Sequence, residues 1–394
     1  MDPQDFQNTS AGKVMRVPGK GYWAFFPKPI PPPIEWTSEL VVALSKADNA
    51  LGQLKGLAHN LANPHLLIAP FIRREAVLSS RIEGTQASLS DLYTYEAAQL
   101  RLFDRPADVK EVHNYVRTLE YGLERLTTFP LSLRLIRELH AHLMEGVRGE
   151  YQTPGAFRRS QNWIGSPGAL LNEATFIPPP PDEMRKALHD LESYLHADPR
   201  LPSLIRLGLI HYQFEVIHPF LDGNGRVGRL LIVLLLCKWQ MLSQPLLYMS
   251  AYFQRHRETY YEHLMEVSQY GAWGPWLRFF LEGIFTQAQD AIARSRRLLD
   301  LRGCYREQFQ NRRTGARLLQ VVDYLFIQPI VTINGLTDAL EELDYQAAYR
   351  YINLLEEEKL LREITGQARN RVYQADAVLE AIVTPLPGQE EDAV

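Results

Sequence analysis

The sequence has little cysteine, no excess of positive charge and no long apolar segment, and each of these absences excludes a class of protein. Two cysteines among 394 residues, Cys237 and Cys304, cannot form a disulfide framework. The formal net charge of −4 provides no global basic field that would attract nucleic acid. The longest apolar run, Leu230–Cys237, is far shorter than the roughly 20 residues that a membrane helix needs.

The N-terminal residues, MDPQDFQNTSAGK, also lack the charged and apolar regions of a secretory signal. Together with the low cysteine content, this favours a reducing compartment, and we expect a cytoplasmic protein without a membrane partner. The apolar fraction of 46% is normal for a globular protein, and the length predicts two or three domains.

Helical spacing of apolar residues dominates the sequence. Within 36–127, and again in 131–146 and 202–217, apolar residues recur three and four positions apart. Residues 1–35 are predicted to be irregular because they end in a proline-rich stretch, although aromatic residues ahead of it suggest that they pack on a domain. In Asn162–Pro181, apolar residues flank glycines, which predicts a β-hairpin.

The last part of the chain has a pattern of its own. After Gly315, three short amphipathic segments precede two short apolar stretches around Gly366, which predicts three helices and a hairpin, an order similar to a winged helix-turn-helix. Between Gly315 and Val383, six basic against eleven acidic side chains leave a net charge of −5. Phosphate neutralisation dominates DNA affinity, so this balance argues against DNA as a partner and favours a protein partner.

Twelve consecutive residues, HPFLDGNGRVGR from His218 to Arg229, carry the chemistry. A glycine-rich turn that enters a helix presents backbone N–H groups to anions such as phosphates. Arg226 and Arg229 are three positions apart and therefore share one helix face beside that turn. Asp222 is a hard oxygen ligand suited to Mg²⁺ held jointly with phosphates. Taken singly, each residue has an ordinary structural role, but the combination favours a nucleotide site.

This segment resembles the signature of the Fic family, H-P-F-x-D-G-N-G-R-x-x-R, at every defined position, and the resemblance extends from about Ile34 to the last helix. It implies transfer of AMP from ATP to a hydroxyl of a target protein, with His218 as the base that accepts the hydroxyl proton. Asp222 would hold Mg²⁺ against the phosphates. The implied phosphate ligands are Gly223, Asn224 (through its backbone and its side-chain amide), Gly225, Arg226 and Arg229.

A second segment, Ser79–Gly84, fits the Ser-x-x-x-Glu-Gly pattern that resembles the family's inhibitory helix. The resemblance implies that Glu83 pairs with Arg229 and occupies the space that the γ-phosphate needs. Two alternatives stay open. The segment would be an ordinary helix end with Gly84 as its C-cap, or Glu83 would orient a water that removes AMP from a modified target.

The same resemblance implies roles for two further regions. Asn162–Pro181 is similar to the family's target-docking flap, which holds the acceptor segment by strand addition; the alternative is an ordinary surface hairpin. Tyr260 and Tyr261 resemble residues that line the nucleotide pocket, although adjacent tyrosines in a helix are also typical of a core. The implied flap residues are Asn162, Trp163, Ile164 and Gly165.

The resemblance implies a mainly α-helical fold: a Fic helical core with a small β-hairpin flap and a C-terminal winged helix-turn-helix-like domain. The predicted regions are 1–35 (irregular segment), 36–127 (helical region with the inhibitory helix), 128–313 (catalytic core), 314–383 (winged-helix-like domain) and 384–394 (tail).

Other functions also stay open. One rival is a transcription regulator or interaction module with a regulatory nucleotide site, and another is transfer of phosphate or phosphocholine. Gly225 favours AMP, because relatives that phosphorylate carry a lysine there. The acceptor would be a serine, threonine or tyrosine of another protein or of this chain, and nothing in the sequence excludes a homodimer.

Overall fold

A computed structural model describes residues 1–59, 63–98, 106–149, 151–166, 168–197, 200–312, 315–341 and 343–385. The fold of these residues is mainly α-helical, which confirms the predicted class. No helix among them is both long and apolar enough to cross a bilayer. The last nine residues of the predicted tail, 386–394, lie outside the described part of the chain.

The chain divides into two compact units. Unit 1 comprises Met1–Gly52, Arg117–Leu242 and Met249–Gln287, and unit 2 comprises Gln53–Val116, Ser243–Tyr248 and Ala288–Val394. These units do not follow the predicted boundaries, because the divisions fall inside the predicted regions 36–127 and 128–313. Helical periodicity does not reveal such divisions, since each lies within or beside a continuous helical pattern.

The α-helices in the first half of the chain are α1 (Ser38–His59), α2 (His65–Ile82), α3 (Leu89–Ala98), α4 (Pro106–Arg125), α5 (Leu133–Leu143) and α6 (Pro181–His196). Those that follow are α7 (Ser203–Ile217), α8 (Asn224–Lys238), α9 (Ser250–Arg255), α10 (Arg257–Tyr270), α11 (Trp273–Phe309), α12 (Gly315–Ile327), α13 (Ile333–Ala339), α14 (Tyr345–Glu357) and α15 (Asp376–Val383). The strands are β1 (Gly12–Arg16), β2 (Trp23–Pro27), β3 (Ile330–Val331), β4 (Arg362–Glu363) and β5 (Tyr373–Gln374).

Two of these strands correct the prediction for residues 1–35. β1 and β2 form an antiparallel hairpin, so the prediction of an irregular segment is wrong there. The expected packing of the aromatic residues is confirmed, because the ring of Phe25 is fully buried, 5.5 Å from that of Phe176. The backbone N–H of Phe25 donates to the carbonyl of Ile177 at 2.9 Å. Contacts with residues far along the chain thus order this segment, and local β-strand propensity does not reflect such contacts.

The core of unit 1 is built around α7 and α8, which pack against each other. Almost every residue of both helices is buried, as expected for helices that are apolar on all sides. Gly208 allows α11 to approach α7 closely, because a Cβ there would lie 3.1 Å from Leu277 and 3.2 Å from Phe280. The indole Nε1 of Trp276 donates to the Gly208 carbonyl at 3.1 Å. α7 is therefore packed closely against α11 at Gly208.

Unit 2 joins the region around α2 to the C-terminal helices. α2 packs on α12 and α15, and the buried carboxylate of Asp290 pairs with Arg294 at 2.7 Å and with Arg74 of α2 at 3.5 Å. The predicted three helices and hairpin are present as α12–α14 with β4 and β5. Strand β3 completes a three-stranded antiparallel sheet in the order β3-β5-β4. Asp344 caps α14 by accepting from the Ala347 amide, while the winged-helix assignment stays a prediction.

Candidate active site

The twelve-residue motif forms the turn between α7 and α8. His218 ends α7 in a left-handed conformation with φ 49° and ψ 61°, and Gly223 precedes α8 with φ 76°. A positive φ is easy for glycine but uncommon for histidine, and such residues cluster at functional sites. The neighbours of His218 must therefore maintain this backbone conformation.

Both the backbone and the side chain of His218 are anchored. Its carbonyl oxygen accepts hydrogen bonds from Nε of Arg158 at 2.9 Å and from Nδ2 of Asn162 at 3.2 Å. The imidazole Nδ1 lies 3.2 Å from the carbonyl oxygen of Glu215. A carbonyl only accepts, so Nδ1 carries the proton and the lone pair of the neutral ring is on Nε2. This is the tautomer that a general base acting through Nε2 requires.

The side chain of Asn224 shapes the loop. Its Oδ1 accepts from the N–H of Phe220 at 2.8 Å, and its Nδ2 donates to the carbonyl of the same residue at 2.9 Å. The side-chain amide, predicted to face a phosphate, is thus engaged with the backbone in this structure. The backbone N–H groups of Asn224, Gly225 and Arg226 form the first turn of α8 and have no acceptor within the helix itself, as in any helix. They make this turn suitable for an anion.

Asp222 stands immediately before this turn. Its Oδ1 accepts from the N–H of Gly223 at 2.6 Å and lies 3.6 Å from Nη2 of Arg226, and its side chain remains 37% exposed. Among the described residues no group of three or more His, Cys, Asp or Glu side chains could hold a metal by itself. One exposed carboxylate fits Mg²⁺ that is bound mainly through substrate phosphates and water, rather than a resident metal.

Arg226 and Arg229 are buried, with 1% and 2% of their surface exposed. Nη2 of Arg226 lies 3.7 Å from the sulfur of Met144. Burial, followed by the positive charge of Arg229, lowers the pKa of the nearby His211 to about 3. Arg226 also lies 3.6 Å from the Asp222 carboxylate, and the positive end of the α8 dipole favours a negative ligand at this turn.

The two tyrosines proposed for the nucleotide pocket differ in their surroundings. Tyr260 is 1% exposed, and its hydroxyl lies 2.8 Å from Nε2 of His211 within an aromatic cluster around Phe253 and Trp276. Here it packs in the core, the alternative left open above, while its part in a nucleotide pocket stays a prediction. Tyr261 is 40% exposed.

The predicted flap is a looser structure than a two-stranded hairpin. One antiparallel bridge joins Ile164 to Phe176, and a short 3₁₀ helix, Leu171–Glu173, lies between them. The glycines and prolines around the bridge limit strand pairing to this single point. Trp163 and Ile164 are 39% and 38% exposed, whereas Asn162 is buried and donates to the motif loop. Gly165, next to the bridge, is exposed.

The segment around Glu83 ends α2 in unit 2. Gly84 has φ 96° and its N–H donates to the carbonyl of Arg81, while the N–H of Thr85 donates to the carbonyl of Ser80. This pair of bonds is the Schellman motif, so the structural reading of Gly84 as a C-cap is confirmed. An inhibitory role of Glu83 stays a prediction.

Sequence reasoning missed two residues that support the motif. Arg158 is a buried cation whose bonds all go to carbonyl oxygens, and burial lowers its pKa to about 10. His140 contacts Asp222 and Phe220 from α5. Neither belongs to a local pattern, because Arg158 and His140 lie 60 and 82 residues from their partners His218 and Asp222.

Comparisons with known proteins agree with this site. Residues 41–124 match the N-terminal region of the Fic/DOC family, and residues 130–236, which include the motif, match the Fic/DOC family itself. A probable protein adenylyltransferase of Aquifex aeolicus is 27% identical over 199 residues, which cover 50% of this chain and 55% of that protein. The protein adenylyltransferase Fic of Aedes aegypti is 27% identical over 207 residues, covering 51% and 38%. The chain thus spans about half or less of these relatives' lengths.

Solved structures share the fold. A Fic family protein from Desulfovibrio desulfuricans has a TM-score of 0.55 at 20% identity, covering 88% of this chain and 98% of that one. Fic-1 from C. elegans has a TM-score of 0.51 at 18% identity, covering 65% and 74%. At these identities the likeness concerns the fold alone. The matched regions and the complete motif on its two buried helices lead to one conclusion: residues 41–124 and 130–236 of this chain are the N-terminal and Fic domains of the Fic/DOC family.

Proposed function

We propose that this protein transfers AMP from ATP to a hydroxyl group of a protein, with His218 as the general base. The observation that carries the proposal is the anchored imidazole of His218, whose Nε2 lone pair stands at the end of α7, six residues before the first residue of α8. The names of the relatives, protein adenylyltransferases, support the same reaction.

In the proposed reaction, the hydroxyl oxygen of the acceptor attacks the α-phosphorus of ATP and its proton passes to Nε2 of His218. The bond between the α-phosphorus and the bridging oxygen breaks, and pyrophosphate leaves with that oxygen. The first-turn amides of α8, with Arg226 and Arg229 behind them, bind the phosphates and hold the α-phosphorus toward His218. Mg²⁺ at Asp222 would neutralise charge on the leaving pyrophosphate.

The acceptor segment would bind along the flap. In the described part of the flap, the backbone forms one bridge at Ile164, which leaves the exposed residues beside it suited to pairing with an extended segment. Backbone pairing tolerates many sequences, so the chemistry of the acceptor is defined by its hydroxyl more than by its neighbours. Serine, threonine and tyrosine of another protein, or of this chain, fit this requirement.

Glu83 would restrain the reaction by pairing with Arg229 and taking the space of the γ-phosphate. The Ser-x-x-x-Glu-Gly pattern and the end of α2 at Ile82, directly before Glu83, support this part of the proposal. A carboxylate at that point repels the triphosphate and neutralises a guanidinium that ATP needs.

The test uses the full chain with Mg²⁺ and ATP labelled at either the α- or the γ-phosphate, incubated with cell lysate. We expect protein labelling from α-labelled ATP only, and none with the His218→Ala variant. Labelling from γ-labelled ATP would instead indicate phosphate transfer. Absence of labelling by both the wild type and a Glu83→Gly variant would contradict the proposed activity.

A further inference from the structure

The side chain of Arg158 joins two parts of the site. Its Nε and Nη2 donate to the carbonyls of His218 (2.9 Å) and Ile217 (3.4 Å), at the end of α7. Nη1 donates to the carbonyl of Ser160 (3.2 Å), just before the flap, and Nη2 to that of Pro179 (2.6 Å), near the end of the flap. Among the described residues it has no carboxylate partner, so its charge is stabilised by carbonyl dipoles. The planar guanidinium spreads its donors over these four oxygens, and a lysine ammonium cannot do the same.

Asn162 makes the same connection from within the flap. Its Nδ2 donates to the carbonyls of His218 at 3.2 Å and Phe220 at 2.8 Å. Its Oδ1 is buried without a hydrogen-bond partner among the described residues. Retaining a buried, unpartnered acceptor is costly, and the two donated bonds to the motif loop give a reason for an asparagine here.

These bonds converge on one atom, because the carbonyl oxygen of His218 accepts from both Arg158 and Asn162. His218 is left-handed, a conformation that a non-glycine residue adopts only when its surroundings impose it. The direction of its imidazole follows from that backbone conformation. A movement of the flap residues bonded to Arg158 and Asn162 would therefore be transmitted through these two side chains to His218, the proposed general base.

We propose that Arg158 and Asn162 are positioning residues that couple the flap to the orientation of the His218 imidazole. Binding of an acceptor segment to the flap then holds these two side chains in place and fixes Nε2 of His218 toward the acceptor hydroxyl. The inference rests on the proposed function, because it assigns the base role to His218. Neither residue is hydrogen-bonded to the first turn of α8 (Asn224, Gly225 and Arg226) in this structure, so we expect neither to bind the nucleotide.

Gln161 offers a matched control. It precedes Asn162, and its Nε2 donates to two carbonyls at 2.9 Å, those of Asn162 and Pro178, both within the flap. Its Oε1 accepts from the Tyr22 hydroxyl at 3.0 Å. Gln161→Ala therefore removes about as many bonds from the flap, but none of them reaches His218.

The experiment compares Arg158→Lys, Asn162→Ala and Gln161→Ala in the full chain. For AMP transfer, we expect kcat to fall by roughly tenfold to a hundredfold in Arg158→Lys and Asn162→Ala, with the KM for ATP within about twofold of wild type. Gln161→Ala should retain most of the wild-type kcat. Binding of a non-hydrolysable ATP analogue with Mg²⁺, measured by calorimetry, should be the same in all four proteins.

A second readout does not depend on turnover. Nitrogen NMR of the His218 imidazole should show a proton on Nδ1 in the wild type and Gln161→Ala, and a mixture of tautomers in Arg158→Lys and Asn162→Ala. Asn162→Ala keeps the test decisive if Arg158→Lys does not fold. Equal kcat losses in Asn162→Ala and Gln161→Ala, with an unchanged His218 tautomer, would overturn the inference. A wild type without AMP transfer would instead contradict the proposed function, and the tautomer comparison would still test the positioning.

Discussion

The imidazole of His140 donates from Nε2 to the backbone carbonyl oxygen of Asp222 at 3.0 Å. Its Nδ1 accepts from the N–H of Gly155 at 2.9 Å, and its ring stacks on Phe220 with 3.8 Å between centroids and an interplanar angle of 5°. Since Nδ1 accepts, the ring is neutral with its proton on Nε2, and burial lowers the pKa of His140 to about 4. One side chain from α5 therefore holds the turn that precedes α8.

His140→Phe should destabilise the protein even though it keeps the stacking on Phe220. It leaves the Asp222 carbonyl and the Gly155 N–H without their partner, and each lost bond costs about 1–3 kcal/mol when the group stays buried. Urea denaturation would measure the free energy of unfolding. The matched control is His142→Phe, on the same helix but partly exposed beside Tyr121, where we expect a change within about 0.5 kcal/mol. Equal effects of the two substitutions would refute the role of His140.

Gly228→Ala should disturb the packing of α7 on α8. A Cβ at Gly228 would overlap Oε1 of Glu215 and lie 3.3 Å from Phe214 Cδ1, so the Glu215 carboxylate would have to turn away and Phe214 would have to shift, at a cost of about 1–3 kcal/mol. Gly52→Ala is the control, because Gly52 lies in α1 with open space around it. There alanine should stabilise the helix by up to about 1 kcal/mol. Thermal and urea unfolding would distinguish the two outcomes. An unchanged free energy of unfolding in Gly228→Ala would contradict this packing.

Stability should fall as the pH decreases from neutrality towards 5. Burial lowers the pKa of His211 to about 3 and that of His140 to about 4, whereas both histidines titrate near 6.5 in the unfolded chain. Below pH 6.5 the unfolded state therefore binds more protons than the folded state, and each histidine removes up to about 1.4 kcal/mol of stability per pH unit. The loss continues until the pH reaches the folded-state pKa.

Urea unfolding at several pH values between 7.5 and 5 measures this dependence. In the His211→Phe variant, one of the two histidines no longer contributes, so the slope of stability against pH should be clearly smaller. The variant should be less stable at neutral pH, because the Tyr260 hydroxyl loses its partner. An unchanged slope would show that His211 protonates as readily in the folded protein as in the unfolded chain.

Glu83→Gly should raise AMP transfer, by roughly tenfold if its coupling to ATP binding has an ordinary magnitude. The measurement is the initial rate at saturating Mg²⁺ and at an ATP concentration below the KM, where a carboxylate that competes with the γ-phosphate has its full effect. Arg81→Ala, in the same last turn of α2, perturbs the helix end and retains the carboxylate, so it serves as the control and should leave the rate near that of the wild type. An unchanged rate for Glu83→Gly would exclude autoinhibition by this residue.

Much of the architecture was predictable because its signals are local. Helical spacing predicted 131–146 and 202–217, which correspond to α5 and α7, and a glycine-rich segment before an apolar helical run marked the turn at Gly223. Residue types at fixed spacing were also enough to identify His218–Arg229 as a candidate site, because the glycines, the carboxylate and the arginines of one turn are close in sequence as well as in space.

Tertiary contacts decided the rest. The β1–β2 hairpin depends on the burial of Phe25 against Phe176, and the single bridge of the flap depends on the segments that pack at its base. The burial of Tyr260 against His211 likewise joins residues far apart in the chain. Amino-acid type and spacing determine which chemical groups a short segment can present to a ligand. Whether a backbone carbonyl such as that of His218 meets Arg158 is a matter of long-range packing, which no local pattern encodes.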